Sequence, residues 1–313
     1  MKLSIIIPNF NGENLLRTNL PKVIESIKNY KDEKEIIIAD DASIDGSKKV
    51  VEEIKKINKD ISITFLPSSK NLGFSSNVNR AVNKTTGEIL ILLNTDVYPT
   101  ENFLIPLLAH FRNKKVFAVG CLERSIESDG NLVLRGRGIG RWKRGFLMHR
   151  KGDVNKENTL WVSGGSGAFR KEIWEKLGGL NSLYNPFYWE DIDLSYRALK
   201  SGYEIIFEPE SLVIHEHEKG AIKSKYSPSE VNLIAYRNQF IFTWINLTDT
   251  GLILEHFIFL PYFLLKSIIR LDTIFISAFF KALILLPKVL ESRKQNKRLF
   301  VKKDVEIIQD LKE

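Results

Sequence analysis

The 313-residue sequence is poor in cysteine, with Cys121 standing alone. That excludes an internal disulfide and fits a reducing compartment. There is no Cys/His spacing suited to zinc and no RNA-binding signature. The formal charge of +8 and pI of 9.3 therefore point to phosphorylated small molecules or anionic lipid rather than nucleic acid. The apolar run Leu3–Ile7 is too short for the h-region of a signal peptide. It reads as a first strand, and the expected location is the cytosolic side of the membrane. Neither G-x-G-x-x-G nor G-x-x-x-x-G-K-[ST] follows that strand, so the usual dinucleotide and P-loop devices are missing. No run reaches the roughly 20 apolar residues with few charges that a membrane-spanning helix requires.

What is present alternates between two periodicities. Leu3–Ile7, Glu35–Ala39, Ile61–Leu66 and Ile89–Leu93 are short, largely apolar runs, as expected of strands buried on both faces. Between them Leu16, Leu20, Val23 and Ile27, then Val50, Val51 and Ile54, recur at helical spacing, and Ser75–Asn83 reads as a third helix. Pro21 predicts a kink or a restart capped by Asn19. The alternation implies an α/β fold, a mostly parallel sheet with helices on both faces. Ligands of such sheets sit beyond the carboxyl ends of the strands. Here those ends carry Pro8-Asn9, Asp40-Asp41 and Asn94-Thr95-Asp96. With no glycine-rich phosphate loop, a bound nucleotide would need a cation on its phosphates. Asp96 is the natural ligand, and Asx oxygens suit Mg²⁺ or Mn²⁺.

Further on, Glu190, Asp191 and Asp193 crowd three carboxylates into four residues beside Trp189. Crowding and desolvation raise a carboxyl pKa and can make a general base. The same residues also suit a helix N-terminus. Taken alone, the stretch leaves both readings open.

Five segments in order resemble the motifs of inverting family 2 glycosyltransferases of the GT-A fold. They are Ser4–Gly12, Asp40–Ser47, Asn71–Phe74, Leu93–Val97 and Trp189–Leu194. The branch most similar includes rhamnosyltransferases of surface-polysaccharide assembly, and the resemblance covers roughly residues 1–245. It implies that Pro8, Asn9, Asp40, Asp41, Asn71, Gly73 and Asn94 surround the nucleotide of a nucleotide-sugar donor. It makes Asp96 a metal ligand, completed by His215, with His217 as the alternative, and Asp191 the catalytic base. Asn94 stands where the family usually has the first Asp of D-x-D, one charge fewer at the metal. Trp161, Gly164, Gly165, Trp189 and Glu190 are implied to line the sugar and a glycan or lipid-linked acceptor.

Two regions lie outside those motifs. Asp129–Lys151 is rich in Gly and Arg and without clear periodicity, a long loop or hairpin. Trp161–Phe169 reads either as a flexible turn before a helix at Lys171–Leu177 or as a wall of the sugar site. Residues 246–313 form a C-terminal appendage in which Phe257, Phe259, Phe263, Phe275, Phe279 and Phe280 are interrupted by Lys266, Arg270 and Lys281. A polybasic tail follows. Amphipathic helices in the plane of an anionic membrane surface fit this pattern. Packing of the helices on the catalytic domain, or on a second subunit as a homodimer, and a true span are the alternatives. A sugar-nucleotide nucleotidyltransferase and a non-catalytic membrane scaffold are the competing functional classes. The first should carry a glycine-rich phosphate loop where Asn9-Phe10-Asn11-Gly12 stands, and the second has no need of both Asp96 and Asp191.

Overall fold

The computed structural model describes residues 1–126, 130–216 and 225–311. Strands β1 (Leu3–Asn9), β2 (Lys34–Asp40), β3 (Ser62–Pro67) and β4 (Ile89–Leu93) alternate with helices α1 (Glu13–Lys28), α2 (Ser47–Ile57) and α3 (Phe74–Val82). The strands pair in parallel in the order β3-β2-β1-β4. Successive residues of β1, β2 and β4 enter opposite layers. Ile5, Ile38 and Ile91 pack with α1 and α2, whereas Ile6, Ile37 and Leu92 pack with α3. Burial on both faces is why these strands read as continuous apolar runs.

Pro21 does not restart α1. It lies inside one 16-residue helix. Pro21 and Arg17 both face solvent, so water can serve the carbonyl that loses its helical donor. Asn19 is not a cap. It is buried, and its amide donates to the Thr95 carbonyl and to Glu216.

After β5 (Val97–Pro99) and α4 (Leu104–Ala109) come β6 (Val116–Ile126), β7 (Leu132–Arg135), β8 (Gly138–Lys143), β9 (Phe146–Lys151) and β10 (Ser166–Arg170). Helices α5 (Lys171–Leu177) and α6 (Glu190–Lys200) and strand β11 (Glu204–His215) follow. The second half of the sheet is mixed. β10 lies antiparallel between β4 and β6, β11 runs parallel to β6, and β5 closes the edge antiparallel to β11. The Gly-rich segment before α5 thus ends as a central strand rather than a loose turn. Gly- and Arg-rich residues 132–151 form β7, which pairs with β6, and the separate hairpin β8–β9.

Helix α7 (Pro228–Asn246) begins with a capping box between Ser227 and Glu230. Then come α8 (Thr250–Ile269), α9 (Thr273–Ile284), α10 (Leu286–Lys297) and α11 (Asp304–Asp310). They share an apolar cluster with β9, α6 and α7. α8 corrects one reading of the sequence. It is a 20-residue helix, long and apolar enough to cross a membrane by length and composition, with only 11% of its most apolar window buried. Lys266 lies in its last turn and Arg270 just beyond it, so these charges end the apolar stretch instead of dividing it. Glu255 in its first half is tied down, accepting from Trp142 Nε1 at 2.7 Å and from the Gly145 amide at 3.2 Å.

Candidate active site

The ends of β1, β2, β4 and β11 converge on a cleft of about 360 Å³ whose walls include Pro8, Asn9, Asp41, Asn71, Gly73 and Asn94, with Asp96 and His215 at one side. Asp40 sits one layer back. Its carboxylate accepts from Asn9 Nδ2 at 2.8 Å and from the Ser43 amide at 3.1 Å. The amide oxygen of Asn9, Oδ1, is buried without a partner, the kind of acceptor that a ligand donor satisfies. Asp41 receives the amides of Leu72 and Gly73 at 2.7 and 3.0 Å. Burial still pushes its carboxyl above the ordinary value, outweighing those amides. Gly73 has φ +81°, and a Cβ there would lie 2.8 Å from the Asn185 side chain, so both the turn and the close approach require glycine.

Asp96 is 6% exposed, with Oδ2 3.5 Å from His215 Nε2. The other ring nitrogen, Nδ1, lies 3.0 Å from Glu123 Oε2, and Glu123 in turn accepts from Ser166 Oγ. Burial opposes the imidazolium, but the carboxylates of Asp96 and Glu123 overcome it and hold the His215 pKa up to about 9. Asn94 keeps its place because Gly165 has no side chain; a Cβ there would lie 2.5 Å from the Asn94 amide nitrogen. Among the described residues no three His, Cys, Asp or Glu side chains converge as a metal site. A divalent cation would take Asp96 and His215 from the chain and its remaining ligands from phosphate and water. A hard carboxylate with few protein ligands fits Mg²⁺ or Mn²⁺ bound together with phosphates. A histidine held at its far nitrogen by a carboxylate fits a metal ligand. His217 lies outside the described residues.

The three acidic residues of α6 are separated by their surroundings. Asp193 is fully buried, bonded to Arg197 Nε at 2.7 Å, to the Tyr184 hydroxyl at 2.9 Å and to the Asn246 amide at 2.6 Å. Glu190 is buried with Oε2 unpartnered. Desolvation, then the neighbouring Asp191 charge, pushes its pKa well up. Asp191 is half-buried, with Oδ1 accepting from the Ile192 amide at 2.8 Å and Oδ2 from Gly164 at 3.4 Å. Desolvation outweighs those two bonds and lifts its pKa to about 6. Ahead of the helix, Tyr188 and Trp189 both have positive φ, 71° and 76°. Such backbone in non-glycine residues persists only when its surroundings enforce it. Asn238 of α7 does so, its buried amide nitrogen lying within 2.9 Å of the carbonyls of Tyr184, Phe187 and Tyr188.

Trp189 packs edge-on against His149 of β9, which also meets Trp161. His149, Glu123, Asn238 and Lys225 escaped the sequence reading. Lys225 brings a cation to the cleft, 4.3 Å from the Phe10 ring centre. Glu123 left a faint trace, a carboxylate directly after the apolar run Val116–Leu122 of β6. Asn238 left none.

Against this geometry, the family model described as glycosyl transferase family 2 matches residues 4–178, more than half of the chain. The chain belongs to that family. A GalNAc(5)-diNAcBac-PP-undecaprenol beta-1,3-glucosyltransferase of Campylobacter jejuni is 34% identical over 47% of this chain and 48% of its own. The O-antigen chain rhamnosyltransferase WbaN of Salmonella anatum is 26% identical over 68% of this chain and 66% of its own. The family 2 chain thus spans about half the length of the first of these relatives. Among solved structures, the mannosyltransferase PcManGT from Pyrobaculum calidifontis, in complex with GDP-Man and Mn²⁺, aligns over 99% of this chain and 88% of its own. It does so at 17% identity and a TM-score of 0.59. S. aureus TarS in complex with UDP-GlcNAc aligns over 99% and 91%, with 17% identity and a TM-score of 0.60. The fold of this family 2 chain is GT-A-like.

Proposed function

We propose that this glycosyltransferase moves a sugar, with inversion, from a UDP- or dTDP-sugar to a hydroxyl of a glycan or lipid-linked acceptor at the cytosolic face of a membrane. The observation that carries the reading is the division of labour at α6. One carboxylate of three, Asp191, is left half-buried with a pKa raised to about 6, next to Gly164, which in turn lies against Phe74 in the wall of the cleft that holds Asp96. The undecaprenol-linked and O-antigen activities in the names of the two relatives support the acceptor class. Mn²⁺ in PcManGT supports the cation. In the same reading residues 1–245 carry transfer and residues 246–313 hold the enzyme to anionic lipid.

Asp96 and His215 would hold the cation, which when bound neutralises charge on the leaving diphosphate. Asn9, Asp41, Asn71 and Gly73 orient the nucleotide. Asp191 takes the proton of the acceptor hydroxyl. Its oxygen bonds to the anomeric carbon from the face opposite the diphosphate, and the electron pair of the breaking C–O bond leaves with the diphosphate. One displacement inverts the centre and needs no enzymic nucleophile.

Two tests follow from the assignments. EDTA should stop nucleoside diphosphate release, and Asp96→Ala should weaken Mn²⁺-dependent UDP binding in calorimetry as well as turnover. Full turnover in EDTA would sink the metal assignment. The pH profile tests the base. Asp191 must be ionised to accept a proton, and its pKa is raised, so kcat/KM should be on a plateau above about pH 6 and fall below it. A profile flat to pH 5 or lower contradicts the raised pKa.

A further inference from the structure

A second cavity, about 340 Å³, lies among α7, α8, α9 and α10, away from the donor cleft. Its size is at the lower end of the roughly 300–1,000 Å³ typical of small-molecule sites. Its floor is buried: Thr243, Leu247 and His256 are 3%, 2% and 2% exposed. The floor is also fully bonded. His256 Nδ1 lies 2.7 Å from the Gly145 carbonyl, its Nε2 takes the Trp244 indole N–H, and Thr243 Oγ1 donates to Gln239. An occupant therefore meets almost no unspent polar group, which selects hydrocarbon.

The rim is of the opposite kind. Phe257, Leu283 and Leu290 line the cavity and yet are 59%, 40% and 52% exposed. They continue onto the outer faces of α8 and α9, where Ile258, Leu265 and Ile284 are 70%, 59% and 78% exposed. Water is a poor solvent for so much contiguous apolar surface; lipid chains are the natural one. The cavity is thus a recess in the surface that the appendage turns outward.

One stripe of α10 adds charge. Leu286, Leu290 and Arg293 follow at helical spacing and all line the cavity. Arg293 is the one charged lining residue, and its Nη1 donates to the Trp244 carbonyl at 2.8 Å. Lys297 comes one turn further along the same stripe, and Lys294 is also exposed. Guanidinium beyond a hydrocarbon slot complements a phosphate joined to an alkyl chain.

We propose that this cavity takes one acyl chain of an anionic membrane phospholipid, with the phosphate at Arg293. The lipid inserts as a socketed anchor, distinct from the acceptor. The proposal rests on the membrane-surface reading above and adds a defined, stoichiometric site to it.

The test uses the full chain and vesicles of phosphatidylglycerol brominated at mid-chain. Binding to vesicles is measured separately by co-sedimentation, so the membrane reading and the socket can fail independently. Bromine should quench Trp244, which lines the cavity. The contribution is isolated as the difference from Trp244→Phe. Native mass spectrometry after detergent extraction should show one retained phosphatidylglycerol. Leu260→Phe with Leu283→Phe should fill the space, leave sedimentation unchanged and remove both signals. Arg293→Gln keeps the cavity and should lose the preference for phosphatidylglycerol over phosphatidylcholine. Sedimentation with neither quenching nor a retained lipid overturns the socket but leaves the membrane reading standing. No sedimentation overturns both. Retention of polyprenyl phosphate in preference to phosphatidylglycerol, when both are offered, also overturns the proposal and marks the cavity as part of an acceptor site.

Discussion

Asp191→Asn is expected to bind nucleotide sugar as the native enzyme does and to transfer it about 10²–10⁴-fold more slowly, the usual contribution of a positioned general base. The amide keeps the shape, and its one oxygen can still accept from the Ile192 amide at the helix start, giving up only the longer bond from Gly164, so helix α6 should start as before. What is lost is the only one of three neighbouring carboxylates that is suited to take a proton. Asp193 cannot substitute, being bound to Arg197, Tyr184 and Asn246 in the interior. Glu190 is buried, with Oε2 out of reach of solvent and of any partner, and burial disfavours its charged form. Glu190→Gln in the native background is therefore expected to be mild. Single-turnover measurements with saturating donor separate binding from chemistry. If Asp191→Asn turns over at the native rate while Glu190→Gln does not, the assignment of the base moves one residue.

The second large effect is on folding. Asp304→Ala should destabilise the protein by about 3–5 kcal/mol, the cost of leaving one member of a buried pair alone. Lys200 Nζ lies 2.6 Å from Asp304 Oδ1, both side chains fully inaccessible, and also donates to the Asn246 carbonyl and Thr248 hydroxyl. Asp304 further receives the Tyr196 hydroxyl and the amides of Thr248 and Asp249. Burial depresses the Lys200 pKa, and Asp304 opposes the shift. Without the carboxylate, Lys200 must either lose its proton or pull out into water. Lys200→Met combined with Asp304→Leu should recover part of the loss, because no charge is left unpaired, while the Tyr196 hydroxyl and the Thr248 and Asp249 amides still lose their acceptor. Denaturant melts of the native chain and the two variants measure this. Equal stability of Asp304→Ala and the native chain would show the pair to be idle.

Much of the parallel half of the sheet could be read in advance because its causes are local. Strands such as Ile89–Leu93 are apolar at every position since both faces are covered, and the polar residues that end them mark the cleft. The antiparallel half could not be read in the same way. β10 is written Ser166-Gly167-Ala168-Phe169-Arg170, and its glycine, with Gly164 and Gly165 just ahead, looks like a turn until β4 and β6 are seen on either side. Pro21 misled for a related reason: its cost depends on whether water reaches the Arg17 carbonyl, which neighbouring residues do not disclose. The roles of Glu190, Asp191 and Asp193 were inseparable in the sequence. Their solvation is set by Tyr184, Gly164 and Asn246, which lie up to 53 residues away. Glu123 and Asn238 act on His215 and on the turn before α6 across 92 and 50–54 residues, distances at which periodicity carries no information.

The Lys200–Asp304 pair also sets the order of events at the ribosome. The partners are 104 residues apart, and at synthesis rates of about 5–20 residues per second the lysine waits roughly 5–20 s for its carboxylate. During that interval α6, which carries Asp191 at its other end, cannot settle into its final packing. The apolar helices α8 and α9 leave the exit tunnel before Asp304 does, and so can meet a membrane first. A nascent chain is thereby kept from finishing α6 until the apolar helices α8 and α9 have already been made.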